Sequence, residues 1–259
     1  MKLSDMTIEQ AAQALKTWTQ HREYDFIAPF LALPGLRGFW PMSAFDASAN
    51  VFDQSGNVRT MAAAGTPRFG YDGLAPYAEF DGSGDYLTRA DETALDVTGG
   101  ESYVVTPGLT LGGWFYFDNA ASANEGLITK WLASANLSYM LCRTSGGVGA
   151  IQVTSDGTSG TQVTSAASVL CTVAGWNFIA GRVVPSTTLD LWQNGTQYTN
   201  STSIPAAIHA GSANFVIGGW SGGTGLLTGR ASLCFLCAAA LSDDIVSALY
   251  QRTRPLFGV

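Results

Sequence analysis

The stretch that decides the fold is Tyr77-Ala78-Glu79-Phe80-Asp81-Gly82-Ser83-Gly84-Asp85-Tyr86-Leu87. Tyr77, Glu79 and Asp81 alternate with Ala78 and Phe80, which is the two-residue period of a strand with one buried face. Residues 81–85 are Asp, Gly and Ser, which tolerate positive φ or bond to their own backbone. A second strand restarts at Tyr86. Read alone, the stretch predicts a β-hairpin.

The rest of the chain repeats this pattern of a short strand followed by a turn rich in Gly, Ser, Asn or Asp. Leu109–Phe117 and Trp176–Val184 are clear strands, and Asn194-Gly195 is the strongest short hairpin signal. About twelve to fourteen short strands are expected, which indicates an all-β, antiparallel two-sheet sandwich or jelly roll. Residues 241–250 predict a short C-terminal helix capped by Ser242.

The N-terminal segment differs from the rest in period and composition. Ile8, Ala11, Ala12 and Leu15 recur at helical spacing, so residues 4–20 predict an amphipathic helix. We therefore divide the chain into an N-terminal helical arm, residues 1–34, and a β domain, residues 35–259. The apolar stripe of the arm must be buried either on its own domain or on another subunit of an assembly, and both alternatives stay open.

Composition excludes several classes of function. The net charge is −7 and no run of Lys or Arg exists, so nucleic acid is not expected as a partner. No apolar run reaches membrane-spanning length. The N-terminus lacks the continuous apolar core of a secretory signal, and Met1 favours a protein that is made and used without export. Only 13% of the residues are charged, which suggests that partners cover part of the surface.

The four cysteines give no complete metal site by their spacing. Cys234 and Cys237 form one pair, but Cys142 and Cys171 are far apart in sequence, whereas a closed zinc site needs two pairs. Positions three apart on a strand point to opposite faces. We expect free, buried thiols that pack as small apolar residues.

An ordered series of short motifs resembles the laminin G-like, concanavalin A-like jelly-roll superfamily. The resemblance covers about residues 36–252, and this fold class stacks two curved antiparallel sheets. The motifs are, in order, Asp53-x-Ser55-Gly56-Asn57, Phe80-Asp81-Gly82-x-x-Asp85-Tyr86-Leu87, Leu109-x-Leu111-x-x-Trp114, Ile128-x-Lys130, Gly175-Trp176-Asn177-Phe178-Ile179-Ala180, Leu189-x-Leu191-x-x-Asn194-Gly195, Ile217-Gly218, Gly229-x-Ala231 and Ala240-Leu241-Ser242-x-x-x-Ile245-x-x-Leu249-Tyr250.

The resemblance implies two kinds of site. Many members hold calcium, and Asp53, Asp81 and Asp85 lie in turns whose carbonyl oxygens can join a carboxylate around a cation. The alternative is that these residues only form Asx turns, so no cofactor is certain.

Members of the superfamily also often bind sugars on the concave face or at loop edges. Sugars need aromatic platforms beside amides. The alternative is that the tryptophans belong to the core. The candidate sugar-binding residues near predicted loops are Trp131, Asn136, Tyr139, Trp192 and Trp220.

No catalytic residues are predicted. The Glu-x-Asp-x-x-Glu spacing of the laminarinase-like branch is absent, and Asp81 of the Glu79/Asp81 pair belongs to a turn motif. Gly219-Trp220-Ser221-Gly222-Gly223 matches Gly-x-Ser-x-Gly, but no histidine follows it in the chain.

Two classes of function remain, with a glycosidase as a distant third. The first is a non-enzymatic structural or adhesive virion protein, a capsid decoration or tail component of a bacteriophage. Such a protein is made in the host cytoplasm, forms a homo-oligomer, and contacts other subunits through its arm and cell-surface glycans through its loops. The second is a carbohydrate-binding or adhesion module of a cellular protein, located outside the cell or on its surface.

Overall fold

The computed structural model describes residues 26–98, 107–132 and 136–259. Within these residues, fifteen strands form two antiparallel sheets packed face to face. The predicted all-β two-sheet sandwich is therefore confirmed. The predicted helix over residues 4–20 lies outside the described residues, as do the first 25 residues of the arm.

One sheet has eight strands. They are β1 (Leu36–Trp40), β3 (Arg68–Asp72), β4 (Ala75–Asp81), β6 (Leu109–Phe117), β11 (Trp176–Val184), β12 (Thr188–Gln193), β13 (Thr196–Asn200) and β15 (Thr228–Cys237). Their order is β13-β12-β11-β6-β15-β4-β3, with β1 also paired to β15.

The other sheet has seven strands. They are β2 (Ala62–Ala64), β5 (Tyr86–Arg89), β7 (Glu125–Leu132), β8 (Asn136–Arg143), β9 (Gly149–Val153), β10 (Val163–Thr164) and β14 (Phe215–Ile217). Their order is β10-β9-β8-β7-β14-β5-β2.

The predicted hairpin at residues 77–87 is wrong in its pairing. Both strands exist, but β4 pairs with β3 and β15, whereas β5 pairs with β2 and β14 in the opposite sheet. Phe80 and Leu87 both point into the core between the sheets. The Gly-rich turn therefore carries the chain from one sheet to the other. By contrast, Asn194-Gly195 closes a true hairpin between β12 and β13, with both residues at positive φ.

The core lies between the inner faces of the two sheets. Leu87, Ile217, Ile128, Leu141 and Ile151 follow one another across five strands of the seven-stranded sheet and are all fully buried. They meet inward residues of the eight-stranded sheet, such as those of β6 and β11, in one apolar cluster. This alternation is what a sheet with one face in the core requires.

A second apolar cluster covers the outer face of the eight-stranded sheet. Two helices supply it, α1 (helical over residues 26–31) and α2 (Asp243–Thr253). Phe30 of α1 is fully buried and stacks on Phe39, with ring centroids 4.6 Å apart. Ser242 caps α2 through its side chain, which accepts a hydrogen bond from the amide of Ile245, as the sequence predicts.

Aromatic rings from α2 and the chain end complete the same cluster. Trp114 of β6 stacks on Phe257 at 4.2 Å and lies 5.9 Å from Tyr250. Its indole nitrogen donates a 2.8 Å hydrogen bond to the hydroxyl of Thr253. Trp114 and Trp176 are therefore buried structural residues. The last residues of the predicted arm, which include Phe26, Phe30 and Leu33, also pack on the domain itself.

Truncation of Phe30 should show that α1 is part of the folded domain. We expect Phe30→Ala to lower the free energy of unfolding by about 3–5 kcal/mol, because it removes a fully buried ring. Leu31→Ala, on the same helix but 43% exposed, should change it by no more than about 0.5 kcal/mol. Urea unfolding of both variants measures this, and equal effects would contradict the packing described.

Candidate functional site

The two outer faces of the sandwich differ in what covers them. Both described α-helices pack on the eight-stranded sheet. The outer face of the seven-stranded sheet instead carries a cross-strand row of mostly small or polar side chains. This row consists of Thr88, Val216, Thr129, Met140 and Gln152, and all of them except Thr88 are buried. A loop, and neither described α-helix, packs on this sheet, so the loop and the residues around it form the candidate ligand surface.

The loop between β14 and β15 folds over this face and sets the position of Trp220. Thr129 donates a hydrogen bond to the carbonyl oxygen of Gly219 at 2.8 Å, which anchors the loop. Any side chain at Gly126 or Gly225 would overlap the indole of Trp220, and Gly225 has a positive φ of 54°. Because these two glycines have no side chains, they leave the space that the half-buried indole of Trp220 occupies.

Trp220 packs against a small apolar cluster on the same face. The cluster contains Trp131, Leu137, Met140, Cys142 and Ala150, all buried. The amide of Ser221 donates to the carbonyl oxygen of Trp131 at 3.0 Å and fixes the two tryptophans relative to each other. Leu132, next to Trp131, is 37% exposed.

Neutral polar side chains surround this cluster. Asn136 is half-buried and donates to the hydroxyl of Ser212 at 3.0 Å. Asn214 is exposed, and its backbone amide donates to the hydroxyl of Ser221 at 3.2 Å. We name Trp131, Leu132, Asn136, Ser212, Asn214, Trp220 and Ser221 the tryptophan patch. The structure thus brings together three of the five predicted sugar-binding residues.

The other two predicted sugar-binding residues lie elsewhere. Tyr139 points into the core, is fully buried, and donates its hydroxyl to the carbonyl oxygen of Leu95 at 2.8 Å; burial raises its pKa. Trp192 is buried on the outer face of the eight-stranded sheet, with the guanidinium of Arg182 4.7 Å above its ring. Neither ring offers a free face to a ligand.

Sequence reasoning missed Ser212, Asn214 and Ser221. They stand far from Asn136 and Trp131 in the chain, and the pairing of β14 with β7 brings them together. The only signal in the sequence was the density of Ser, Asn and Gly around Trp220.

The three candidate calcium ligands each accept hydrogen bonds from backbone amides. Asp53 accepts from the amides of Phe39, Ser55 and Arg59 at 2.8–3.0 Å. Asp81 accepts from the amide of Ser83 at 2.7 Å, and Asp85 accepts from that of Thr66 at 2.6 Å. Within the described ranges, no three Asp, Glu, His or Cys side chains form a group that could hold a metal. A calcium site there would depend on backbone carbonyls, and it stays a prediction.

The residues considered for catalysis have structural partners. Glu79 faces Arg230, with Oε1 3.3 Å from Nε. Ser221 lies in a tight loop closed by a bridge between Trp220 and Thr224, and its hydroxyl accepts from a backbone amide. This loop leads into a strand, not into the helix that a nucleophile elbow requires.

The four cysteines are free and buried. Cys234 lies in the core between the sheets and Cys237 in the outer cluster, so the pair points to opposite faces as predicted. Burial raises the pKa of the Cys142 and Cys171 thiols to about 12, and it raises that of Cys234 and Cys237 further.

A family model described as the concanavalin A-like lectin/glucanases superfamily matches residues 81–244, which is more than half of the chain. The chain belongs to this superfamily. As a concanavalin A-like domain, it has the two-sheet sandwich that the ordered motifs predict. No curated protein matches the sequence. Among the described residues, no helix has the length and apolar character needed to span a bilayer.

Three solved structures illustrate the likeness: two toxin binding domains and one domain of an arabinanase. The binding domain of Paraclostridial Mosquitocidal Protein 1 aligns with a TM-score of 0.64 at 10% identity, over 83% of this chain and 52% of that one. The receptor binding domain of a botulinum neurotoxin C/D mosaic serotype aligns with a TM-score of 0.63 at 10% identity, over 84% and 51%. This chain therefore spans about half the length of these toxin domains.

A third structure matches over nearly its whole length. Domain 4 of AbnA, an extracellular arabinanase from Geobacillus stearothermophilus, was solved in complex with arabinotriose. It aligns with a TM-score of 0.61 at 14% identity, over 84% of this chain and 99% of that one. At these identities the likeness establishes the fold.

Thiol reactivity tests the burial of the cysteines. The thiolate is the nucleophile, and a pKa near 12 leaves almost none at pH 8. We expect a chromogenic disulfide reagent to leave the native protein unlabelled at pH 8 and to titrate four thiols after denaturation in urea. Rapid labelling of the native protein would contradict the burial of at least one cysteine.

Proposed function

We propose that the protein is a non-enzymatic adhesion module that binds neutral glycans at the tryptophan patch. The observation that carries this proposal is that Trp220, from the loop after β14, meets Trp131 and Asn136 of the paired strands β7 and β8 on the side of the sandwich to which neither described α-helix packs. Trp220 supplies the accessible ring, and the buried Trp131 supports it.

The chemistry of the patch favours a saccharide. Sugar rings present apolar C–H faces that pack on aromatic rings, and hydroxyl groups that pair with amides and hydroxyls. The patch offers Asn136, Ser212 and Asn214 for such pairing, whereas the buried Ser221 bonds to the backbone of Asn214. None of its side chains is charged, so nothing in it compensates the desolvation of a sialic acid or a sulfate. A neutral glycan is therefore the preferred ligand.

The comparisons support a binding role without identifying the ligand. Two of the structures with this fold are described as binding domains of toxins, and a third carries arabinotriose in its complex. In a glycosidase, two carboxylates must flank the scissile bond, whereas Glu79 is paired with Arg230 and Asp81 with its own turn. We therefore favour binding over catalysis.

Replacement of Trp220 tests the glycan proposal. We expect Trp220→Ala to weaken binding to neutral oligosaccharides on a glycan array by at least about tenfold, because it removes the stacking platform. Tyr71→Ala is the matched control, since Tyr71 is an exposed aromatic residue on the eight-stranded sheet. That variant should bind as the unmodified protein does.

Two results would count against the proposal. A folded protein that binds no oligosaccharide on the array overturns it. Binding that survives Trp220→Ala but is lost in Tyr71→Ala moves the site to the other sheet. Thermal unfolding of both variants, compared with the unmodified protein, separates loss of binding from loss of fold.

We further propose that the protein is a subunit of a virus particle, a bacteriophage capsid decoration or tail component that docks as a homo-oligomer through its N-terminal arm. The amphipathic pattern of residues 4–20 and the low content of charged residues support this proposal. A cellular adhesion module, located outside the cell, is the alternative. Such a module would use the same patch but would not need the arm.

Deletion of residues 1–25 tests the role of the arm. The deletion must stop there, because Phe26, Phe30 and Leu33 belong to the apolar cluster of the domain. We expect the full chain to sediment as an oligomer and the truncated chain to be a folded monomer. A full chain that is already monomeric, or an oligomer that survives the deletion, would contradict docking through the arm.

A further inference from the structure

A charged side chain lies in the core of the sandwich with two carboxylates around it. Lys130 is fully buried, and its Nζ is 2.7 Å from Oδ1 of Asp91 and 2.9 Å from Oδ1 of Asp96. Nζ also donates a hydrogen bond to the carbonyl oxygen of Gly211. We name Lys130, Asp91 and Asp96 the buried triad. It lies on the inner side of the seven-stranded sheet, opposite to the tryptophan patch.

The surroundings of Lys130 are apolar and fixed. Its cross-strand neighbours are Phe215 and Tyr139, both fully buried members of the core. Asp96 lies between two further core residues, Leu95 and Val97. The hydrogen bond from Tyr139 to the carbonyl oxygen of Leu95 holds this segment against the sheet. An amine and a carboxyl group are therefore kept together where water has little access.

The two carboxylates meet Nζ differently. Asp91 accepts a well-formed hydrogen bond from Nζ, and its side chain is 36% exposed. Oδ1 of Asp96 forms an ion pair with Nζ but accepts no hydrogen bond among the described residues. This side chain is only 17% exposed. A C–O bond of about 1.2 Å puts Nζ no more than about 4 Å from Cγ of Asp96, close to the near-attack range of about 3–3.5 Å.

We propose that Lys130 and Asp96 join in an intramolecular amide bond, with Asp91 as the base that carries the protons. Asp91 takes a proton from Nζ of Lys130 through the hydrogen bond that joins them. The neutral amine of Lys130 then attacks Cγ of Asp96. One C–O bond of Asp96 breaks as the Nζ–Cγ bond forms.

The atoms and charges of this step balance without a further reactant. Nζ starts with three hydrogens and ends with one. Asp91 takes the other two in turn and delivers them to the departing oxygen of Asp96, which leaves as water. The opposite charges of Lys130 and Asp96 disappear together, and Asp91 ends as it began. Burial of the new amide slows its hydrolysis, since water has little access to the site.

Mass spectrometry of the intact protein tests the proposal. We expect the purified full chain to be lighter than its sequence mass by about 18 Da, the mass of one water. Modified Lys130 is no longer a trypsin site, so digestion should give one peptide that spans residues 90–143 and is lighter by the same amount. A native protein at its full sequence mass, cleaved after Lys130, overturns the proposal.

Three variants assign the roles within the triad. Lys130→Met and Asp96→Ala each remove one of the two joined residues, so both variants should appear at their full sequence masses. Asp91→Asn keeps both joined residues but removes the base, so it should also appear at its full sequence mass. Asp243→Ala, which removes an ion-paired but 59% exposed aspartate, is the matched control and should keep the loss of water. A loss of water that survives Asp96→Ala would contradict the assignment of the joined residue.

Discussion

The packing of two helices on the eight-stranded sheet determines what else the sandwich can do. A two-sheet sandwich has two outer faces, and an apolar outer face must be covered. Here Trp114, Trp176, Phe178 and Phe235 make one outer face aromatic, and α1, α2 and Phe257 cover it. That face therefore contributes to the stability of the fold and is not available to a ligand. A ligand is left with the other side of the sandwich, where a loop packs on the strands and the described α-helices do not.

The seven-stranded sheet has a different outer face. Its outer row has no aromatic residues and is mostly small or polar, whereas its inner row is made of Leu and Ile. Trp131 of β7 lies on this outer side, and the loop after β14 packs Trp220 beside it, against Gly126 and Gly225. The anchor of that loop on Thr129 links the sheet face to the ring. Trp131 and Trp220 thus lie together in a patch without charged side chains, which suits recognition of an uncharged, ring-shaped ligand.

The sequence predicted what depends on local chemistry and failed where the answer depends on distant partners. Asn194-Gly195 requires two positive φ angles, so its hairpin could be foreseen. The stretch 77–87 has the same local pattern of strand, Gly-containing turn and strand. Its strands nevertheless pair with β15 and β14, more than a hundred residues away. For the same reason the patch was only half foreseen, since Asn136 and Ser212 meet across 76 residues. Exposure also cannot be read from composition, and Tyr139 and Trp192 turned out to be core residues.

The buried triad is hard to explain as a stabilising ion pair. Removal of a lysine and two carboxylates from water costs free energy, and their mutual attraction offsets this cost only when the geometry is good. Apolar residues of similar volume often stabilise a core as well or better. The geometry here is uneven, because Asp91 receives a proper hydrogen bond and Asp96 does not. An arrangement that is poor for a permanent salt bridge is appropriate for a reaction in which one carboxylate carries protons and the other is attacked. A covalent tie between β7 and the segment after β5 would remove the buried charges and restrain the unfolded chain, as other cross-links do.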